Sequence, residues 1–351
     1  MTPRTVAIMF VIALVTSAAA IYGMSNRVQY ELTNFDGQRL FPGLLEEAAK
    51  VEKVEVLQNG QPFTFEKKGD TWVLSQSDGY QVHGNLVAKL IFSVANLEIL
   101  EPKTADPARH AELNLGDPSV KENKAQLVTL LSGDGEKKAE IVVGRANYFL
   151  PETTTGGMYV RRPGEDQTWL VRGLVDIGVE RRDWLVRDII DIDIDDIVHA
   201  EVRRPDGEVQ IVEPKQGVTG NFAFANMPEG RKLKSEYAPR NIAAVASGFV
   251  LNDVRKNENV PFDPSKAYNV TYESKDGIVA DMAFWQEEKT QYLRIKADYK
   301  GSDPESDPAK TVEAINKRAA GWTYIIPEYQ YEQVSKPFEE VTEPADKPGP
   351  G

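Results

Sequence analysis

From Val51 onward the chain alternates apolar and polar residues in short runs, and the runs recur. "VEKVEVLQNGQPFTFEKKG" begins at Val51 and "IVHAEVRRPDGEVQIVEPKQG" at Ile197. In both, apolar residues stand at positions 1, 4 and 6, a glycine-bearing turn follows, and a second alternating run returns. A period of two places one side of each run on a core, so both stretches are predicted as antiparallel hairpins. Asn59-Gly60 and Asp206-Gly207 supply the turns, because these residue types tolerate positive φ. A third short run ends each group, "TWVL" at Thr71 and "NFAF" at Asn221. The period then changes to that of a helix. Leu86, Leu90, Val94 and Leu97 form one apolar stripe, and Ile242, Val245, Phe249 and Val250 form its counterpart. A second meander follows each helix, "KAQLVTLLSGDGEKKAEIVVG" from Lys124 and "KAYNVTYESKDGIVADMAFW" from Lys266.

This order, found twice, predicts a duplicated α+β module. The fold expected is two tandem repeats of antiparallel β-meanders, each packed with a helix. The first module is placed at residues 37–180 and the second at 188–338, with the junction near "RRDWLVRDII". The second module gains a helix opened by Asp307-Pro308 and closed at Gly321, then a strand "WTYIIP" and a short helix "EYQYEQVSKPF". Residues 339–351 are rich in Pro, Glu, Lys and Gly, and predict a disordered tail.

One apolar run has no period. Val6 to Met24 carries no charge over 19 residues, about 28 Å as a helix, close to the thickness of a bilayer's hydrocarbon core. Residues 1–27 are therefore predicted to be a transmembrane anchor. Arg4 on its N-terminal side favours a cytoplasmic N-terminus and an exported body. The small residues Ser17 to Ala20 leave a cleaved signal peptide as the competing reading.

Charge narrows the partners. The formal net charge of −13 argues against nucleic acid and against a body lying flat on anionic lipid. With no cysteine, disulfides, thiol catalysis and cysteine-zinc sites are all absent.

The densest cluster of chemistry-bearing residues is "DIIDIDIDDIV", Asp188 to Val198. An EF-hand reading fails: with Asp191, Asp193 and Asp195 at positions 1, 3 and 5, Asp196 occupies the place of the obligatory glycine and Val202 that of the final ligand. Isoleucines alternating with Asp191, Asp193 and Asp195 fit an extended segment with one solvated face. A weak divalent-cation site or a contact for a basic partner remains as the alternative for Asp191, Asp193, Asp195 and Asp196. His83, His110 and His199 have no ligand spacing, and no G-x-S-x-G, P-loop or G-x-G-x-x-G occurs. No cofactor, metal or catalytic set is predicted.

The anchor, "LFPGLLEEAAKVEKVEV", "KGDTWVL", "LEILEPKTADPARHAELNL", "MYVRRPGEDQTWLV", "RRDWLVRDIIDID", "EGRKLKS" and "AGWTYIIPEYQYEQVSKPFEEV" together resemble the domain-of-unknown-function family 4340 of Gram-negative bacteria. The resemblance runs from about Leu40 to Val341. It implies a single-pass protein of the inner membrane with its body in the periplasm, in a family often encoded beside a gliding-motility-type ABC export system. It implies no reaction. The function expected is a non-enzymatic accessory or scaffold protein contacting membrane components of such an exporter. The alternative is a periplasmic ligand-binding protein, its cleft between the modules holding a glycan, peptide or lipid.

Overall fold

The structure, a computed structural model, describes residues 37–150, 155–217 and 220–345. The predicted anchor at Val6 to Met24 lies outside the described residues. Among the described residues no helix is long and apolar enough to cross a membrane.

The first half of the chain begins with the short helix α1 (Leu44–Glu47) and β1 (Val51–Gln58). There follow β2 (Gln61–Lys68), β3 (Thr71–Leu74), β4 (Tyr80–Gln81), α2 (Gly84–Ala95) and β5 (Glu98–Pro102). Then come β6 (Gln126–Ser132), β7 (Lys137–Asn147), β8 (Gly157–Arg161) and β9 (Thr168–Arg172). The second half runs β10 (Ile197–Arg203), β11 (Val209–Pro214), β12 (Phe222–Phe224), β13 (Arg231–Leu233), α3 (Ala238–Ala244) and β14 (Asp253–Lys256). It continues with β15 (Tyr268–Ser274), β16 (Ile278–Glu287), β17 (Thr290–Tyr299), α4 (Asp307–Ala319) and β18 (Trp322–Ile326), and ends with α5 (Glu328–Ser335), α6 (Phe338–Val341) and β19 (Thr342–Pro344).

The fold is mixed α+β, built on two large antiparallel sheets with few helices. The nine-stranded sheet has the order β4-β3-β2-β1-β6-β7-β8-β9-β5, and the eight-stranded sheet the order β12-β11-β10-β15-β16-β17-β18-β14. With β4 set aside, the two orders use the same sequence of connections. In each, the strand that follows the helix crosses to the far end and pairs with the last strand. The first strands match in detail: β1 and β10 carry the same burial alternation over their first six residues, and each has a register irregularity at its start.

By its internal contacts the chain divides into two compact units. One holds the described residues through Pro62 with Lys89–Asp176, and the other holds Phe63–Ala88 with the described residues from Ile177 on. The core of the first unit stacks cross-strand pairs such as Val54 on Leu130 and Val56 on Val128, with Ile141 beyond Val128, all essentially inaccessible. In the second unit Val202 pairs with Val270, Val270 with Met282, and Phe284 with Leu293. Each such side chain contributes about 1.5–3 kcal/mol by leaving water.

Local chemistry explains the turns and three differences from the sequence reading. Asn59 (φ 51°) and Gly60 (φ 70°) both take positive φ between β1 and β2. At the second turn only Gly207 does (φ 91°), and Asp206 instead accepts the Glu208 N–H at 3.0 Å. The stripe on α2 is Val87, Leu90, Ile91 and Val94, with Leu86 only half-buried and Leu97 beyond the helix end. Its counterpart α3 stops at Ala244 and continues as a single tight turn before Gly248, whose φ of 129° excludes further helix. Finally, the disordered tail expected from Glu339 does not begin there. Phe338 and Thr342 are buried, and β19 pairs with β13 in a two-stranded sheet, which gives this polar stretch backbone partners.

Candidate functional site

The acidic run is extended and alternates as expected. Ile190 and Ile192 are buried, Asp191, Asp193 and Asp195 are exposed, and Asp196 is half-buried. It is not a paired strand before Ile197. Ile192 N–H donates to Ala246 O at 3.0 Å, and the Asp193 carboxylate caps a single tight turn by accepting the Asp195 N–H at 2.9 Å. Asp196 is ion-paired with Lys275, and its carbonyl accepts the Lys275 N–H at 2.8 Å. Among the described residues no group of three or more His, Asp or Glu side chains is arranged to hold a metal ion. His110 is buried with Nε2 2.8 Å from Asp166 O, and His199 lies 3.5 Å from a Glu213 carboxylate oxygen.

The strongest polar cluster of the second unit was not readable from sequence. Asp253, at the start of the edge strand β14, is 8% exposed and accepts four hydrogen bonds. Ser77 Oγ donates at 2.6 Å and Val254 N–H at 2.9 Å to one carboxylate oxygen; Arg181 at 2.6 Å and Arg255 at 2.8 Å reach the other. Burial pushes the Asp253 carboxyl up, but the bonds from Arg255, Ser77 and Arg181 outweigh it and hold it below the ordinary value. Next along the turn, Asp78 (φ 55°) accepts the Lys256 N–H and the Asn259 side-chain amide, both at 2.8 Å. The turn Ser75–Ser77 with Asp78 thus covers the open edge of β14 and satisfies backbone donors a sheet edge would otherwise leave free. This is a structural latch.

Beside the latch lies an open groove of about 650 Å³. Tyr80 and Gln81 of β4 and Val73 of β3 line it, with Val186 and Asp188, and Lys317, Arg318 and Trp322 around the end of α4. The floor is fixed by Tyr80, whose hydroxyl donates to Val186 O at 3.1 Å and whose ring meets Trp322 edge-on at 4.9 Å. Burial pushes the Tyr80 phenol up to about 12, with Tyr324 and Arg318 opposing. Tyr324, fully buried, donates to Arg318 O at 3.3 Å. The Arg318 guanidinium donates to Asp188 O. Tyr80 and Trp322 are held in place from below, while Lys317 and Arg318 are exposed.

The first unit carries a different surface. A cleft of about 580 Å³ is lined by Phe92, Ser93 and Asn96 of α2 and its C-terminal end, by Arg172 at the end of β9 and by Leu174 just after it. Phe92 is 49% exposed. In the β7–β8 connection Tyr148 is 71% and Phe149 93% exposed. Its two described ends meet beside the cleft: a Cβ placed on Gly156 would lie 3.4 Å from Tyr148 Cα and 3.7 Å from Leu174 Cδ1. Phe92 shows up in the sequence as an apolar residue on the wet side of α2's period. Tyr148 and Phe149 gave no such signal, because "NYFL" also reads as the end of a strand.

The family described as "Domain of unknown function (DUF4340)" matches residues 72–269. No curated protein and no solved structure matches the chain.

Proposed function

We propose that this chain, which belongs to the DUF4340 family, is a non-enzymatic accessory subunit. In this reading Val6 to Met24 anchor it in the inner membrane. Its body stands in the periplasm as two copies of one module, at 37–180 and 188–338, beside membrane components of an ABC-type exporter. The shared strand order of the two sheets supports duplication. The observation that carries partner binding is the exposed aromatic surface of the first unit, Phe92 with Tyr148 and Phe149. Exposed aromatic side chains grouped on one surface are a mark of protein-contact sites.

The test is photocrosslinking from position 149 of the full-length protein in native membranes, with adducts identified by mass spectrometry. Adducts to membrane components of one exporter, lost when Phe92→Ser/Tyr148→Ser is combined with the crosslinker at 149, are the expected result. Adducts confined to bulk lipid, or a protein released by alkaline carbonate, would refute the reading. A ligand-binding role is the second reading. It is favoured by the open, cation-rimmed groove in the second unit.

A further inference from the structure

We infer that the groove of the second unit binds an extended acidic peptide segment of another protein, whether or not the chain sits beside an exporter. Two cations line it and a third stands next to one of its lining residues. Lys317 and Arg318 line the groove, and a Cβ placed on Gly79, which also lines it, would lie 3.6 Å from Lys68 Nζ. All three side chains are exposed, and among the described residues none has a carboxylate within ion-pair distance. Most other lysines here are matched: Lys275 with Asp196, Lys300 with Glu273, Lys336 with Glu332. Three unmatched cations around one groove, in a chain of net charge −13, are a local reversal of the protein's field.

The lining also separates a peptide from a compact anion. Phosphate sites gather backbone N–H groups at a nest or a helix N-terminus. Here the nearby helix end is the C-terminus of α4, whose dipole disfavours a concentrated negative charge. Asp188 adds a carboxylate to the same wall. Such a wall repels a dense charge. It tolerates carboxylates spaced along a chain, each met by a long, exposed cationic side chain. Between the cations, Val73, Tyr80, Val186 and the half-buried Trp322 offer an apolar floor for side chains that alternate with the acids.

The probe is a fluorescein-labelled peptide of alternating Glu and Leu, titrated by anisotropy against the full-length protein in neutral detergent. Binding that weakens steeply with added salt is expected, with a Lys/Leu peptide inert. Lys317→Glu should weaken binding about tenfold, and Lys68→Glu/Lys317→Glu further. Both should retain the wild-type melting temperature, since neither side chain carries an internal partner. The doubly reversed variant should gain affinity for the Lys/Leu peptide, an outcome a merely structural role cannot give. Unchanged affinity in folded Lys317→Glu would overturn the assignment. So would competition by inorganic phosphate, or by vesicles of phosphatidylglycerol, at charge concentrations equal to that of the peptide.

Discussion

Asp253→Asn tests the latch most directly. The substitution keeps the shape and can still accept from Ser77 Oγ, 2.6 Å away in the native protein. It removes the charge that Arg181 and Arg255 share at 2.6 and 2.8 Å, and turns an amide donor toward two guanidinium groups. Breaking a buried ion pair costs about 3–5 kcal/mol. The two arginine side chains are 33% and 26% exposed, so water takes up part of the loss, and about 2–3 kcal/mol is the expected cost. For a unit of this size that is a fall of about 4–12 °C in melting temperature, read by calorimetry of the purified full-length protein at neutral pH. The pH dependence gives a second check. The Asp253 carboxyl is held below its ordinary 3.8, so its contribution is complete above that value. It declines as the pH falls below 3.8 and is gone below the folded pKa. The gap between wild type and variant should therefore be narrower at about pH 3 than at neutral pH. A shift under about 1 °C would show that the latch carries no net stability, and a gap of the same size at both values would show that the carboxylate's charge is not the source of it.

Tyr272→Phe should cost about 1–2 kcal/mol in urea unfolding, because it removes the donor at 2.9 Å from the buried Ile242 carbonyl; no change would mean that carbonyl is content with its helical partner. Trp184→Ala should cost about 3–5 kcal/mol by opening a cavity against Phe65, whose ring centroid is 4.6 Å away, and a loss below about 1 kcal/mol would contradict the packing. Asp191→Asn/Asp193→Asn/Asp195→Asn should melt like wild type with and without calcium in a thermal-shift assay; a calcium-dependent rise abolished by the triple substitution would assign a metal site to the run. Gly60→Ala should destabilise by about 1–3 kcal/mol, since φ there is 70° and the new Cβ would sit 2.8 Å from Ser119 O; a neutral effect in chemical denaturation would show that the turn relaxes freely.

Much of the local structure was legible because it rests on neighbours. Asn59-Gly60 announced a hairpin, the Val51, Val54 and Val56 spacing announced its buried side, and the isoleucines among the aspartates announced an extended segment with a wet face. Helix α4 was placed correctly, although Ser306, not Asp307, accepts the capping N–H of Ala309. What failed depended on distant partners. Ser77 and Asp253 lie 176 residues apart, and nothing near either position reveals the other. The groove is assembled from β3, β4, the segment around Val186 and the end of α4, so its cations looked like ordinary solvated charges one at a time. Thr342 and Pro344 read as tail until β13 is there to receive them.

The crossing strands have a consequence for the order of events during synthesis. Glu98 of β5 meets Arg172 of β9, 74 residues later, and β14 likewise waits for β18. In each sheet a strand made early finds its only sheet partner in the strand made last. Closure of such distant pairs is slow, since the intervening loop must lose its entropy before any bond repays it. While the chain emerges, residues 38–40 can bridge one side of β5 and the Asp78 turn can cover one side of β14, but the edge that β9 or β18 will occupy stays unmet, an opening for misassembly with other chains. Neither sheet can be finished by partial synthesis. A chain halted before β18 keeps an incomplete second sheet, which makes the late C-terminal strands the checkpoint between a nascent and a mature molecule.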